Sequence, residues 1–170
     1  QHHLQYTQGV YLIFYKIETN IPSMRWEDAV KVALCFGWID STVKSLGNGK
    51  RRQYFCPRNP KSTWSKLNKS YIDELEKQGL IHERGWEMIE LAKQTGTWTA
   101  MDAVENLVIP EDLKKAFASN VMAYENYQNF SRSYRKGYLS WLYGAKRQET
   151  REKRIKEIIR LCAANKKSRI

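Results

Sequence analysis

The stretch Trp26-Glu27-Asp28-Ala29-Val30-Lys31-Val32-Ala33-Leu34-Cys35-Phe36-Gly37-Trp38-Ile39-Asp40-Ser41-Thr42-Val43-Lys44-Ser45-Leu46 decides the fold class, because its apolar period changes midway. Trp26, Ala29, Val30, Ala33 and Leu34 recur at the three- and four-residue steps of one helix face. Glu27 and Asp28 fall in the first turn, where the helix dipole favours carboxylates. Gly37 is the expected stop. Trp38-Ile39 then opens a strand that runs to about Leu46. The following Gly47-Asn48-Gly49-Lys50 is rich in residues that tolerate positive φ, so it reads as a turn. Arg51 to Pro57 completes a hairpin, whose loop length admits several turn types.

Working outward, residues 9–16 are β-branched or aromatic almost throughout. They read as a strand, and their near-continuous apolar character points to a central one. Residues 19–23 read as a loop. Three strands with one crossing helix make a small α+β unit, its sheet antiparallel or mixed. Downstream, Ser62 or Thr63 is expected to cap a helix reaching Gln78, with Trp64, Leu67, Tyr71, Ile72 and Leu75 on its apolar side. Further helices are expected near 83–95, from Pro110 onward, and at 121–130, 133–145 and 150–163, before a basic tail at 166–170. Residues 97–107 lack clean periodicity and read as a connector. The fold class is thus α+β: an α+β subdomain at 1–80, then an all-helical subdomain at 81–170 with a basic last helix, packed as one unit. The expected core is Val10, Leu12, Phe14, Ala29, Val30, Ala33, Leu34, Trp38, Leu67, Ile72 and Leu75 in the first half. In the second it is Leu113, Phe117, Tyr138, Trp141, Leu142, Ile155 and Ile159.

Composition excludes several classes. No apolar run approaches the roughly 18 residues that span a bilayer. The opening Gln1-His2-His3 lacks Met, so the natural start is expected to lie upstream. Cys35, Cys56 and Cys162 are odd in number and widely separated, which fits free thiols in a reducing, cytoplasmic setting. His2 and His3 are terminal and His82 stands apart at a turn, so neither a metal site nor any cofactor is expected. The formal net charge is +11. It is uneven: residues 41–72 hold eight Lys or Arg and no acid, and residues 73–115 are acidic. Such a field favours an anionic partner, whether nucleic acid, a phosphate-bearing ligand or an acidic protein.

The candidate site residues come from that basic stretch and its surroundings. Arg51, Arg52, Arg58, Lys61, Lys66 and Lys69 are interleaved with Tyr54, Phe55 and Trp64. Arginines beside aromatic rings suit a nucleic-acid backbone with a stacked base. Ser62, Thr63 and Lys61 at a helix start suit a phosphate. The plainer reading is a solvated basic face with the aromatics in the core. Alternate strand residues point to opposite faces, so Arg51 and Arg52 cannot both lie on one side. Asp40 follows Trp38-Ile39 and is expected to hold Arg58, a backbone N–H or Ser41, or else to touch a ligand. Glu27 and Asp28 are adjacent and do not face each other, which weakens an acid/base reading. Cys35 has no nearby His and reads as a core thiol rather than a nucleophile. Gly47-x-Gly49 reads as a turn rather than a phosphate cradle. In the last helix, Glu149–Lys153 and Glu152–Lys156 are expected to compensate its basic face.

The block from Glu27 to Ser41 resembles the bacterial YdeI/OmpD-associated, or bacteriocin-protection, family. Tyr54-Phe55-Cys56-Pro57-Arg58-Asn59-Pro60-Lys61-Ser62-Thr63-Trp64-Ser65-Lys66-Leu67-Asn68 is similar to its Pro-Arg-x-x-Lys-Ser-x-Trp-Ser segment. Ile109-Pro110-Glu111-Asp112-Leu113, Tyr134-Arg135-Lys136-Gly137-Tyr138-Leu139-Ser140-Trp141-Leu142 and Ala145-Lys146-Arg147-Gln148-Glu149-Thr150-Arg151 resemble its later segments. The resemblance implies a link to tolerance of bacteriocins or cationic antimicrobial peptides, and its name hints at the envelope. It brings no catalytic or cofactor-binding residue. The expectation is a non-enzymatic binding or stress-tolerance protein. Alternatives are a nucleic-acid-binding protein using the 41–72 face, and a small enzyme with a pocket between the halves near Trp38, Asp40, Arg58 and Trp64. The absence of His from any such pocket argues against the enzyme.

Overall fold

The computed structural model describes residues 8–168, so His2, His3 and the last two residues of the basic tail lie outside the described residues. The chain divides into two compact units, residues 1–100 and 101–170.

In the first unit, β1 (Val10–Tyr15) leads through a single 3-10 turn (Ile17–Thr19) to α1 (Trp26–Cys35). There follow β2 (Trp38–Gly47), β3 (Lys50–Pro57), α2 (Lys66–Lys77) and α3 (Glu83–Thr95). The three described strands form an antiparallel sheet in the order β1-β3-β2. β1 is therefore an edge, against the expectation of a central strand. Its apolar run hides a two-residue alternation: Phe14 is buried, whereas Tyr11 and Ile13 are 55% and 44% exposed. Asn48 and Gly49 link β2 to β3 with φ of 47° and 69°, the pair of positive angles that a type I′ turn requires.

α1 lays Ala29, Val30 and Leu34 into the core and stops at Gly37, whose φ is +71°. α2 starts later than expected. Ser65 caps it by accepting from Asn68 N at 3.1 Å. Ser62 is committed elsewhere, since its N–H and hydroxyl both donate to Asn59 O at 2.9 and 2.7 Å. The later start turns Leu67 outward, 46% exposed, and leaves Tyr71, Ile72 and Leu75 to face the core. Trp64, ahead of the cap, is buried among them. α3 contributes Ile89 and Ala92 to this same core, which carries the first unit past residue 80 to residue 100.

The second unit is helical: α4 (Asp102–Glu105), α5 (Glu111–Ala118), α6 (Val121–Asn129), α7 (Arg132–Tyr143) and α8 (Gln148–Ala163). Pro110, expected as the first residue of α5, instead stands at its cap in extended geometry, one residue before Glu111. Leu113, Phe117, Tyr127, Tyr138, Leu139, Leu142, Ile158 and Cys162 form its core. Ile158 lies at the centre of the α8 stripe, with Ile155 and Ile159 half-buried on its flanks.

Candidate functional site

The inner face of the sheet carries, from one end to the other, the cross-strand pairs Asp40–Phe55, Val43–Gln53 and Ser45–Arg51. α1 covers the first of these. Trp26, at its start, donates Nε1 to Asp40 Oδ2 at 3.1 Å, and buried Gln53 donates Nε2 to the same oxygen at 2.5 Å. Asp40 is thus a clamp that ties helix to sheet. Beyond it the inner face is uncovered, because α1 has not yet begun. The segment 16–25 arches across the gap instead. Lys16 N donates to Gly49 O at 2.8 Å and Tyr15 N to Ser23 Oγ at 3.1 Å. Gly49 has no room for a side chain, since a Cβ there would stand 2.3 Å from Thr19 Cγ2.

The arch leaves a cleft of about 950 Å³ between segment 16–25, the start of α1 and the hairpin. Its apolar lining includes Ile17, Ile21, Met24, Trp26 and Val43. Ile17 and Met24 are 71% and 58% exposed, more than isolated surface residues of their kind need be. Four cations, Lys16, Arg25, Lys50 and Arg51, line it against the carboxylates Glu18 and Glu27. Arg51 lies over the Phe14 ring at 5.5 Å and Lys50 over Tyr15 at 5.8 Å, which fixes both charges on aromatic supports. A cleft of this volume, apolar with a few charged groups, has the form of a ligand site.

The sequence-predicted residues separate. Arg51 lines the cleft and Asp40 sits behind it. Arg52 projects from the opposite face of the sheet. Arg58 is not on a surface: it is 5% exposed, with its guanidinium 3.7 Å from the Trp64 ring centre and Nη2 donating to Thr63 O at 2.5 Å. Its Nε and Nη1 have no partner among the described residues. Burial pushes its pKa down to about 10, opposed by the charge of Asp40, so it remains a cation at neutral pH. Trp64 itself packs against Trp98 at 5.0 Å. Trp38 is half-buried opposite Pro57 and packs on the first core. Lys61 and Lys66 are exposed, and Ser62 closes the Asn59 turn, so the expected phosphate cradle at a helix start is not assembled there. Trp38, Asp40, Arg58 and Trp64 all belong to the first unit. Segment 16–25, which supplies half of the cleft, reads from the sequence as a strand end at Lys16 and a loop at residues 19–23, with none of it assigned to a site. Its signal was three large apolar side chains, Ile17, Ile21 and Met24, with no period to bury them.

Elsewhere, Cys35 and Cys162 are buried and Cys56 half-buried, all as free thiols. Burial pushes the Cys162 thiol up to about 12. Lys153 pairs with Glu149 at 2.7 Å as its spacing predicts, whereas Glu152 accepts from Gln148. Among the described residues no group of three or more His, Cys, Asp or Glu is placed to hold a metal, and no helix is long and apolar enough to cross a membrane.

Two family models match the chain. Residues 1–88 match a domain of unknown function (DUF8412), and residues 106–165 match the family described as Bacteriocin-protection, YdeI or OmpD-Associated. The blocks at 27–41 and 54–68 fall in the first match, and those at 109–113, 134–142 and 145–151 in the second. No curated protein and no solved structure matches the chain.

Proposed function

The chain belongs to the DUF8412 family by its first half and to the bacteriocin-protection, YdeI or OmpD-associated family by residues 106–165, and from that premise we propose that it is a non-enzymatic binding protein for an anionic amphiphile. The observation that carries this reading is the cleft, apolar on its walls and ringed by Lys16, Arg25, Lys50 and Arg51. An apolar body would displace water from Ile17, Ile21, Met24 and Val43, while an acidic head meets the cations. The family name points to tolerance of bacteriocins. With a net charge of +11 the chain repels a cationic peptide at long range, so the reading places protection downstream of an anionic ligand rather than in sequestering the peptide itself.

Calorimetric titration with decyl phosphate, and with decyltrimethylammonium of the same chain length, tests the proposal. Saturable binding of the phosphate, no binding of the ammonium, and about a tenfold loss in Val43→Asp and in Arg51→Ser are expected. Equal binding of both amphiphiles, or binding that neither substitution weakens, overturns it.

A further inference from the structure

The outer face of the sheet is a second surface, independent of the cleft. The register places Tyr11 beside Tyr54, Ile13 beside Arg52, and Arg52 beside Lys44. Antiparallel sheets with one solvated face ordinarily place polar, charge-balanced residues there. This face does neither. Tyr11 and Ile13 are 55% and 44% exposed, and Lys44 is exposed. The Tyr11 and Tyr54 rings lie 4.9 Å apart, with the Arg52 guanidinium 4.7 Å from the centre of Tyr11. Arg52 Nε is buried without a partner among the described residues. β1 and β3 contain no Asp or Glu, and the one acid of β2, Asp40, belongs to the inner face.

Two of these features work against the fold when the surface is bare. Lys44 and Arg52 are like charges directly opposite on neighbouring strands, a destabilising arrangement. Exposed Tyr11, beside half-buried Tyr54, leaves apolar ring area in water. One ligand chemistry relieves both: a phosphate between the two cations, with flat rings laid on the aromatic pair. Single-stranded nucleic acid offers that combination in every nucleotide, since each base has a π-face and each linkage a charge. A duplex offers the charge but keeps its bases stacked internally. We propose that this face, built on Tyr11, Tyr54, Arg52 and Lys44, is a platform for single-stranded nucleic acid.

Fluorescence anisotropy with labelled dT12 tests it on the full chain, at 0.05 M and 0.3 M NaCl, beside a 12-base-pair duplex and phosphatidylglycerol vesicles. The expected result is salt-sensitive binding of dT12, tighter than that of the duplex. Tyr11→Leu, which keeps the charge and the apolar bulk, weakens it about tenfold. Lys44→Ser and Arg52→Ser each lower the log–log salt slope by roughly 0.7. Lys146→Ser, which removes one exposed charge from the second unit, changes affinity less than twofold. No binding at 0.05 M salt, equal binding of duplex and single strand, tighter binding to vesicles, or a Tyr11→Leu chain that binds like the parent overturns the proposal. Because Lys44 is an exposed edge residue, Lys44→Ser decides the electrostatic half even if Tyr11→Leu unfolds. Val43→Asp, which faces the cleft, separates failure of this face from failure of the amphiphile reading.

Discussion

Arg58 is the residue whose chemistry departs furthest from its type. A buried guanidinium ordinarily has a carboxylate fork; here it has a tryptophan face, one carbonyl and two nitrogens, Nε and Nη1, without a partner among the described residues. Stacking on Trp64 recovers roughly 2 kcal/mol, against a desolvation cost that falls on the charge alone. The side chain's long stem matters as much as its head. Arg58→Met is therefore expected to unfold in urea at a midpoint close to or above that of the parent, while Arg58→Ala loses about 2 kcal/mol or more. Equal losses in both would mean that the charge, not the packing, is needed. The thiols give a second residue-scale expectation. Cys35 and Cys162 are buried and their pKa values raised by desolvation, so the reactive thiolate is scarce in the folded chain. Brief iodoacetamide treatment at pH 8 should label Cys56 first by mass spectrometry, and all three only after unfolding. Early labelling of Cys162 would show that the second core opens readily.

At the scale of elements, two helical glycines have opposite meanings. Gly85 of α3 lets the helix approach the end of α1: a Cβ there would stand 2.4 Å from Cys35 O, beside the bond from His82 N to that same oxygen at 2.9 Å. Gly137 of α7 faces solvent with nothing within 4 Å of such a Cβ. Alanine favours any helix interior by about 0.5–1 kcal/mol over glycine. That gain should appear in full in Gly137→Ala. In Gly85→Ala, overpacking of about 1–3 kcal/mol should outweigh it. Thermal melts of the two variants should move in opposite directions. The tie between α5 and α8 adds a pH dependence. Arg151 grips Asp112 with two N–H groups, Nη2 at 3.0 Å from Oδ1 and Nε on Oδ2, and holds its carboxyl below the ordinary value. The folded pKa is the lower one, so the stabilisation is complete above the unfolded carboxylate range near pH 4 and disappears as pH falls through the folded value. Asp112 is 39% exposed, so screening limits the effect to about 1 kcal/mol or less. Asp112→Asn should be less stable than the parent at pH 7 and indistinguishable from it near pH 2.

For the whole molecule, the net charge of +11 is the dominant long-range term. Much of it sits in residues 41–72, which carry no acid, and Lys44 and Arg52 oppose each other directly. Like charges so arranged oppose compaction. Raising NaCl from 0.02 to 0.5 M shortens the screening length to well under 10 Å. The melting temperature should then rise by a few degrees. A fall would mean that exposed ion pairs such as Lys153–Glu149 and Arg160–Glu157 outweigh the repulsion.

What the sequence determined by itself is what local chemistry determines. The α1 face, the stop at Gly37, the positive-φ turn at Asn48-Gly49 and the helices at 83–95 and 121–163 follow from periodicity and from residues that tolerate few backbone angles. The tertiary structure decided everything that needs two distant segments. Strand order made β1 an edge, because β3 pairs with both neighbours and no local pattern records which strand returns between the others. The Asn59 turn took Ser62 away from the helix start and so moved Leu67 out of the core. Arg58 was drawn inside by a ring six residues later, against the ordinary solvation of its charge. The cleft exists because segment 16–25 closes onto Gly49, more than twenty residues downstream, and holds Ile17, Ile21 and Met24 at a surface that their hydrophobicity alone would have vacated.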